Sequence, residues 1–199
     1  MKLILVRHGQ TDSNVGKLLD TGHPGAPLNV LGSEQAATLV ETLAGETIDA
    51  VFSSDLLRAQ QTAQPLAEAL GVEAVALPAF REIYAGEHDM ATDWQPYFDV
   101  FQQWFTDTSA KLPGGESWDD FLSRWDCGIE QVEATGVDCA VVVSHGAAIS
   151  SWVPYASQNM ETGSGMQWRL PNTSVIVMTG SSAEGWRTER WGEVVLDER

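Results

Sequence analysis

Short apolar runs rich in β-branched residues alternate along this chain with longer stretches of helical periodicity. Runs at Lys2–Val6, Ala50–Ser53, Glu73–Leu77, Cys139–Val143 and Ser174–Thr179 predict β-strands, and Arg187–Trp191 predicts an edge strand. Several are apolar throughout, as strands covered on both faces are. Helical spacing covers Ser33–Leu43, Asp55–Leu70, Trp94–Phe105, Ser117–Ala134 and Ala147–Met160. Ser33 and Ser117 read as N-caps, the second with Asp120 three residues on, and Gly45, Gly71 and Gly136 read as stops. Pro65 and Pro154 fall inside two of these helices and are expected to kink or end them. Such alternation predicts an α/β fold with crossover helices, here a single domain over residues 1–199. The stripe Trp94, Tyr97, Phe98, Phe101, Trp104 and Phe105 lies on one helix face, either as core or as a lid lining a substrate pocket.

Composition adds limits. With 43% hydrophobic residues over 199 positions, the chain is long enough to bury a core without disulfide or metal staples. Its two cysteines, Cys127 and Cys139, read as small reduced hydrophobes, and no CxxC or Cys/His spacing offers a zinc site. The N-terminal apolar run stops at Arg7 and His8, too short for a signal-peptide core, and no apolar run approaches a membrane span. The expectation is a soluble, cytoplasmic protein. A formal net charge of −17 argues against binding nucleic acid or an anionic membrane surface. The same charge would repel a small phosphorylated ligand unless cations are concentrated at one point.

Two segments share one grammar: Leu3-Ile4-Leu5-Val6-Arg7-His8-Gly9 and Ala140-Val141-Val142-Val143-Ser144-His145-Gly146. Each is a buried strand ending in a histidine followed by a glycine that allows a sharp turn or close ligand approach. In open α/β sheets ligands bind at the carboxyl ends of strands, where both histidines would sit. Arg58 follows a third strand on the first turn of a helix, and Glu82 follows a fourth. Two arginines, two histidines and a carboxylate at four strand ends form a phosphoryl-transfer set: cations for the phosphoryl oxygens, a nucleophile, and an acid to exchange protons.

In these residues the chain resembles the histidine phosphatase superfamily, in its phosphoglycerate-mutase-like branch. The resemblance runs through Arg7-His8-Gly9-Gln10-Thr11 with Asn14, Ser53-Ser54-Asp55 leading to Arg58, Glu82, Pro113-Gly114-Gly115-Glu116-Ser117, Ser144-His145-Gly146 and Asn172-Thr173-Ser174. It implies a three-layer α/β/α sandwich with a mostly parallel central sheet, in which residues 84–116 form a cap or lid. It implies a phosphohistidine on His8, a phosphate pocket of Arg7, Arg58 and His145 with Asn14 and Thr21, and Glu82 as proton donor. No metal and no cofactor are expected, and activity is expected to survive a chelator. The partners expected are a small phosphorylated metabolite and a second copy of the chain in a homodimer.

Departures from the family shape the alternatives. Gly86-Glu87-His88-Asp89-Met90 lacks the tryptophan and second glycine common after the glutamate, so the pocket wall is expected to differ. His88 and His23 are each either substrate contacts or ordinary surface residues. A cofactor-dependent phosphoglycerate mutase shares the catalytic set, but this chain has only Lys2, Lys17 and Lys111 as lysines and no Arg-His-Tyr segment after Glu82. Hydrolysis is therefore favoured over mutase activity. A catalytically idle phospho-ligand-binding protein is the further alternative. A serine hydrolase built on Ser144 is disfavoured, since no Gly-x-Ser-x-Gly elbow occurs.

Overall fold

The computed structural model, which describes residues 1–196, sets seven strands in one sheet with helices on both faces. In chain order the elements are β1 (Lys2–Arg7), α1 (Asp12–Val15), α2 (Val30–Thr42), β2 (Ala50–Ser53), α3 (Leu57–Leu70), β3 (Ala74–Ala76), α4 (Gln95–Gln103), α5 (Trp118–Glu133), β4 (Cys139–Ser144), α6 (Gly146–Ala156), β5 (Val175–Ser181), β6 (Gly185–Trp191) and β7 (Val194–Val195). The sheet order is β3-β2-β4-β1-β5-β6-β7. The first four strands are mutually parallel, and β5, β6 and β7 continue as an antiparallel meander.

Side-chain alternation along the central strands divides the core in two. Leu3, Leu5, Ala140 and Val142 join Phe121 and Trp125 of α5 and Ile149 and Trp152 of α6 on one face. Ile4, Val6, Val141 and Val143 join Leu39 of α2 and Ala63 and Leu66 of α3 on the other. This two-sided burial makes β1 and β4 apolar throughout and produces the three layers. Each fully buried leucine or isoleucine contributes about 1.5–3 kcal/mol, and truncating the buried Trp125 to alanine would cost about 3–5 kcal/mol.

Local departures from the sequence expectations have identifiable causes. Helix α2 starts at Val30 because Asn29, not Ser33, is the N-cap, its side chain accepting from Gly32 N. Helix α3 starts at Leu57 because Ser54 Oγ accepts from Leu56 N and holds Ser54–Leu56 in a turn. Pro65 does not end α3, whose Ala63, Leu66 and Ala67 are buried on both sides of it; packing outweighs a cost of about 3 kcal/mol. Helix α6 likewise runs through Pro154, ending at Ala156 rather than Met160. The expected edge strand Arg187–Trp191 is interior, because β7 pairs with it. Gly71 ends α3 in the left-handed region, φ 69°, as a glycine stop should.

Residues 84–116 contain a 3-10 turn, Gly86–His88, and α4. They fold back against the loop after α1, where Leu19 N donates to Ala91 O and Met90 N to Leu19 O. The aromatic stripe divides residue by residue. Tyr97, Phe101 and Trp104 are buried, Tyr97 donating its hydroxyl to Ile83 O, and Trp94, Tyr97 and Phe98 line a cavity at the strand ends. Among the described residues no helix is long and apolar enough to cross a membrane.

Candidate active site

The strand order brings the two histidines together. β1 and β4 are parallel neighbours with Arg7 opposite Ser144, so the next residue of each chain segment, His8 and His145, emerges at the same sheet edge. Their ring centroids lie 5.2 Å apart. Gly9 follows His8 where α2 crosses the chain: a Cβ there would meet Gly32 O at 2.5 Å, so no larger residue fits without moving backbone. Gly9 N donates to Thr62 Oγ1, whose hydroxyl in turn donates to Arg58 O, tying the turn to α3.

His8 is held in one tautomer. Its Nδ1 donates to Gly9 O at 2.7 Å, which leaves Nε2 as the lone-pair nitrogen, and Arg58 Nε donates to that nitrogen at 3.1 Å. Burial, followed by the charges of Arg58 and Arg7, holds the His8 pKa well below its usual 6.5 despite the opposing Gly9 contact. Burial and then Arg58, with smaller contributions from His8, Arg124 and Arg7, does the same to His145. Both imidazoles are therefore neutral near pH 7.

At the cavity, of about 220 Å³, and behind it some polar atoms lack partners. Arg7 donates from Nη1 to Leu170 O, but its Nε is buried without a partner, as are both ring nitrogens of His145. An unpaired buried polar group costs about 1–3 kcal/mol, and an anion against Arg7 would relieve that cost. Arg58 is buried, with Nη2 on Asp20 O at 2.8 Å and Nη1 3.5 Å from the Asp20 carboxylate. Asn14 Oδ1 accepts from Thr11 N and Asn172 Nδ2, which leaves its own Nδ2 as the donor for a ligand. Thr21 also lines the cavity, but its hydroxyl donates to Asp89 Oδ1 and accepts from Ala85 N, so a ligand there would have to displace Asp89.

Glu82 enters from the turn after β3. Its Oε2 accepts from Ala147 N, and its Oε1 from Ala148 N and Ile83 N, at 2.8–3.0 Å. The carboxylate thus caps α6, whose N-cap residue His145 provides no side-chain cap. Arg124 of α5 holds this turn in place, donating to the carbonyls of Ala79, Arg81 and Glu82 while paired with Glu116. Ser144 donates its hydroxyl to Phe80 O on the same turn, a structural use of that serine.

Arg7, His8, Asn14, Thr21, Arg58 and Glu82 all line one cavity, with His145 packed directly behind His8. His88 does not line it, and His23 is exposed in an adjoining depression that shares Thr21 and Glu82 with the cavity and also holds Arg81 and Arg124. Asp20 and Arg124 are the residues that sequence reasoning missed. Asp20 sits directly before Thr21 in a loop expected to hold phosphate donors, which was a readable signal; Arg124, on an amphipathic helix, gave none. Among the described residues no group of three or more His, Cys, Asp or Glu side chains is placed to hold a metal ion.

A sheet with this order, carrying a histidine pair and two arginines at its carboxyl edge, defines a phosphoryl-binding α/β protein. Residues 3–194 match the model of the histidine phosphatase superfamily (branch 1), and the chain belongs to that superfamily. It is 34% identical over 156 residues to the adenosylcobalamin/alpha-ribazole phosphatase of Salmonella typhimurium, covering 75% of this chain and 76% of that protein. It is 28% identical over 210 residues to a probable phosphoglycerate mutase of Serratia proteamaculans, covering 98% of this chain and 94% of that one. Its fold matches a mycobacterial glucosyl-3-phosphoglycerate phosphatase complexed with VO3, with a TM-score of 0.82 at 27% identity over 97% of this chain and 99% of that one.

Proposed function

We propose that the protein hydrolyses phosphomonoesters of small metabolites through a phosphohistidine on His8. In the first step His8 Nε2 forms a bond to phosphorus as the ester P–O bond breaks, and Glu82 gives its proton to the departing oxygen. In the second, water attacks the phosphohistidine, Glu82 takes a proton from it, and the N–P bond breaks to release inorganic phosphate. Arg7 and Arg58 neutralise the phosphoryl oxygens, His145 and Asn14 add hydrogen-bond donors, and the loose transition state is stabilised by fixed charges.

The observation that carries this reading is the state of His8: neutral, its Nδ1 spent on Gly9 O, its Nε2 left as the lone-pair nitrogen against Arg58 in a cavity that also holds the unpartnered Nε of Arg7. A protein that only bound phosphate would not need that tautomer. Arg7 and Arg58 are the lysine or arginine side chains among the described residues that line the cavity itself, where Asp20 adds a negative charge; Lys17, Arg81 and Arg124 stand in adjoining depressions, Arg81 paired with Asp55 and Arg124 with Glu116. That supports one phosphoryl group, with water as acceptor, over a mutase that must also grip a second anionic group. Residues 84–116 act as the cap over the leaving group, and the unpaired Cys127 and Cys139 fit a reducing, cytoplasmic setting.

Incubation with 3-phosphoglycerate and a bisphosphoglycerate primer, alongside a panel of phosphate esters, tests the proposal. Free phosphate from at least one ester without isomer formation is expected. Accumulation of 2-phosphoglycerate would establish the mutase instead, and binding without any turnover would establish the idle protein.

A further inference from the structure

A second cavity, of about 180 Å³, adjoins the catalytic one and shares Ser150 and Met166 with it. Two helices run along both. The face of α4 that turns Phe98 to the catalytic cavity turns Phe101 to the second, with Phe105 just past its end. Helix α6 gives Ala147 and Ser150 to the first and Ser151 and Tyr155 to the second. At 1.5 Å per residue, Tyr155 stands about 12 Å along the axis from Ala147. The two cavities are thus one trough that starts at the phosphate pocket.

The far end of the trough is aromatic. Trp104 and Trp118 lie 5.6 Å apart between ring centroids, and Tyr155 meets Trp118 edge-on at 5.1 Å. Phe105, Tyr155 and Met166 around it are 63%, 45% and 42% exposed. Large apolar side chains left open in one groove mark a binding surface rather than a core. Among the described residues no charged side chain lines this end, whereas the phosphate end holds Arg7, Arg58, Glu82 and Asp20. The trough therefore runs from a site for an anion to a site for a neutral, flat, apolar group.

We infer that the aromatic end is a leaving-group subsite: the preferred substrate is the phosphate ester of an extended, uncharged alcohol that ends in a planar ring system stacked on Phe105 and Tyr155. The inference rests on the phosphatase reading of the His8 site. Continuity with the catalytic cavity through Ser150 and Met166 is what assigns the groove to substrate and not to a second copy of the chain.

The test compares naphthyloxyhexyl phosphate, whose ring reaches the groove, with glycerol phosphate, whose alcohol does not. KM for the aryl ester is expected to be about tenfold lower in the unaltered protein. Phe105→Ala and Tyr155→Ala, both at exposed positions, are each expected to raise KM for the aryl ester about three- to tenfold while leaving the glycerol phosphate constants unchanged. Equal KM values for the two esters, or losses of equal size on both, would overturn the inference. If neither ester is hydrolysed, the phosphatase reading has failed, and the groove is read separately by equilibrium binding of the uncleavable naphthyloxyhexyl phosphonate. Binding that weakens in both variants supports the subsite; binding indifferent to them overturns it. A dimer in sedimentation velocity that dissociates on Phe105→Ala would also overturn it, giving the groove to a second copy.

Discussion

Arg58 donates from Nε to Nε2 of His8 at 3.1 Å, so the lone pair proposed to attack phosphorus is engaged by an arginine of its own pocket. The same guanidinium is held by Asp20, through its carbonyl at 2.8 Å and its carboxylate at 3.5 Å. A phosphoryl group is a stronger acceptor than a neutral imidazole and would draw Arg58 off His8, freeing the nucleophile as substrate arrives. Asp20 opposes this, because its charge competes for Arg58 and repels the anion.

Asp20→Asn is therefore expected to tighten competitive inhibition by inorganic phosphate about three- to tenfold. The inhibition constant at pH 7 is the measurement. Weaker inhibition in the variant would mean that Asp20 serves mainly to position Arg58.

The two buried neutral histidines make stability depend on pH. Their folded pKa values lie well below 6.5, so below about pH 6.5 the unfolded chain binds protons that the folded chain does not. Their contribution is fully present above pH 6.5 and is lost as pH falls toward the folded values, at up to about 1.4 kcal/mol per pH unit for each histidine. Thermal melts should show Tm falling from pH 7 to pH 5, and the fall should be shallower in His145→Gln. Saturating phosphate should restore Tm most at the acid end, where it stabilises a protonated His145. A Tm that rises on acidification over that range would contradict the burial of neutral rings.

Glu82 and Arg124 should fail in the same manner. Glu82→Gln removes the proton donor, and Arg124→Met releases the backbone of the Ala79–Glu82 turn that aims it. Each is expected to lower kcat on an alkyl phosphate about tenfold or more while changing kcat on p-nitrophenyl phosphate far less, since a good leaving group needs no proton. Arg124→Lys should recover part of the loss. Losses independent of the leaving group would reduce Arg124 to a purely structural role.

The acidic surface bears on encounter. A net charge of −17 surrounds a pocket whose cations are Arg7 and Arg58. Screening by moderate salt should raise kcat/KM for a dianionic ester, because it relieves repulsion over about a Debye length. A steep fall with salt would place the acids far from the cavity mouth.

Strands β1 and β4 were legible because burial on both faces writes an unbroken apolar run, and the Arg-His-Gly and Ser-His-Gly ends mark where each stops. That those ends are neighbours was not legible. Strand order and the Arg7–Ser144 register come from packing between elements far apart in the chain. Glu82 was readable as a carboxylate after a strand, but its capping of α6 spans 65 residues and leaves no local trace. Pro65 and Pro154 misled for the converse reason: a local rule about helices was overridden by burial on the sheet. Ser33 misled because Asn29, a few residues earlier, caps as well, its side chain accepting from Gly32 N while its own N donates to Gln10 O.

The central claim is that His8 carries the phosphoryl group. Rapid quenching of the protein with a radiolabelled phosphate ester, followed by peptide mapping in base, measures it directly. The account expects acid-labile, base-stable label on the peptide holding His8, formed at a rate no slower than turnover and absent in His8→Ala, whose kcat falls by about a thousandfold or more. Label-free turnover in the unaltered protein at those times, or a His8→Ala variant that keeps its rate, would contradict it.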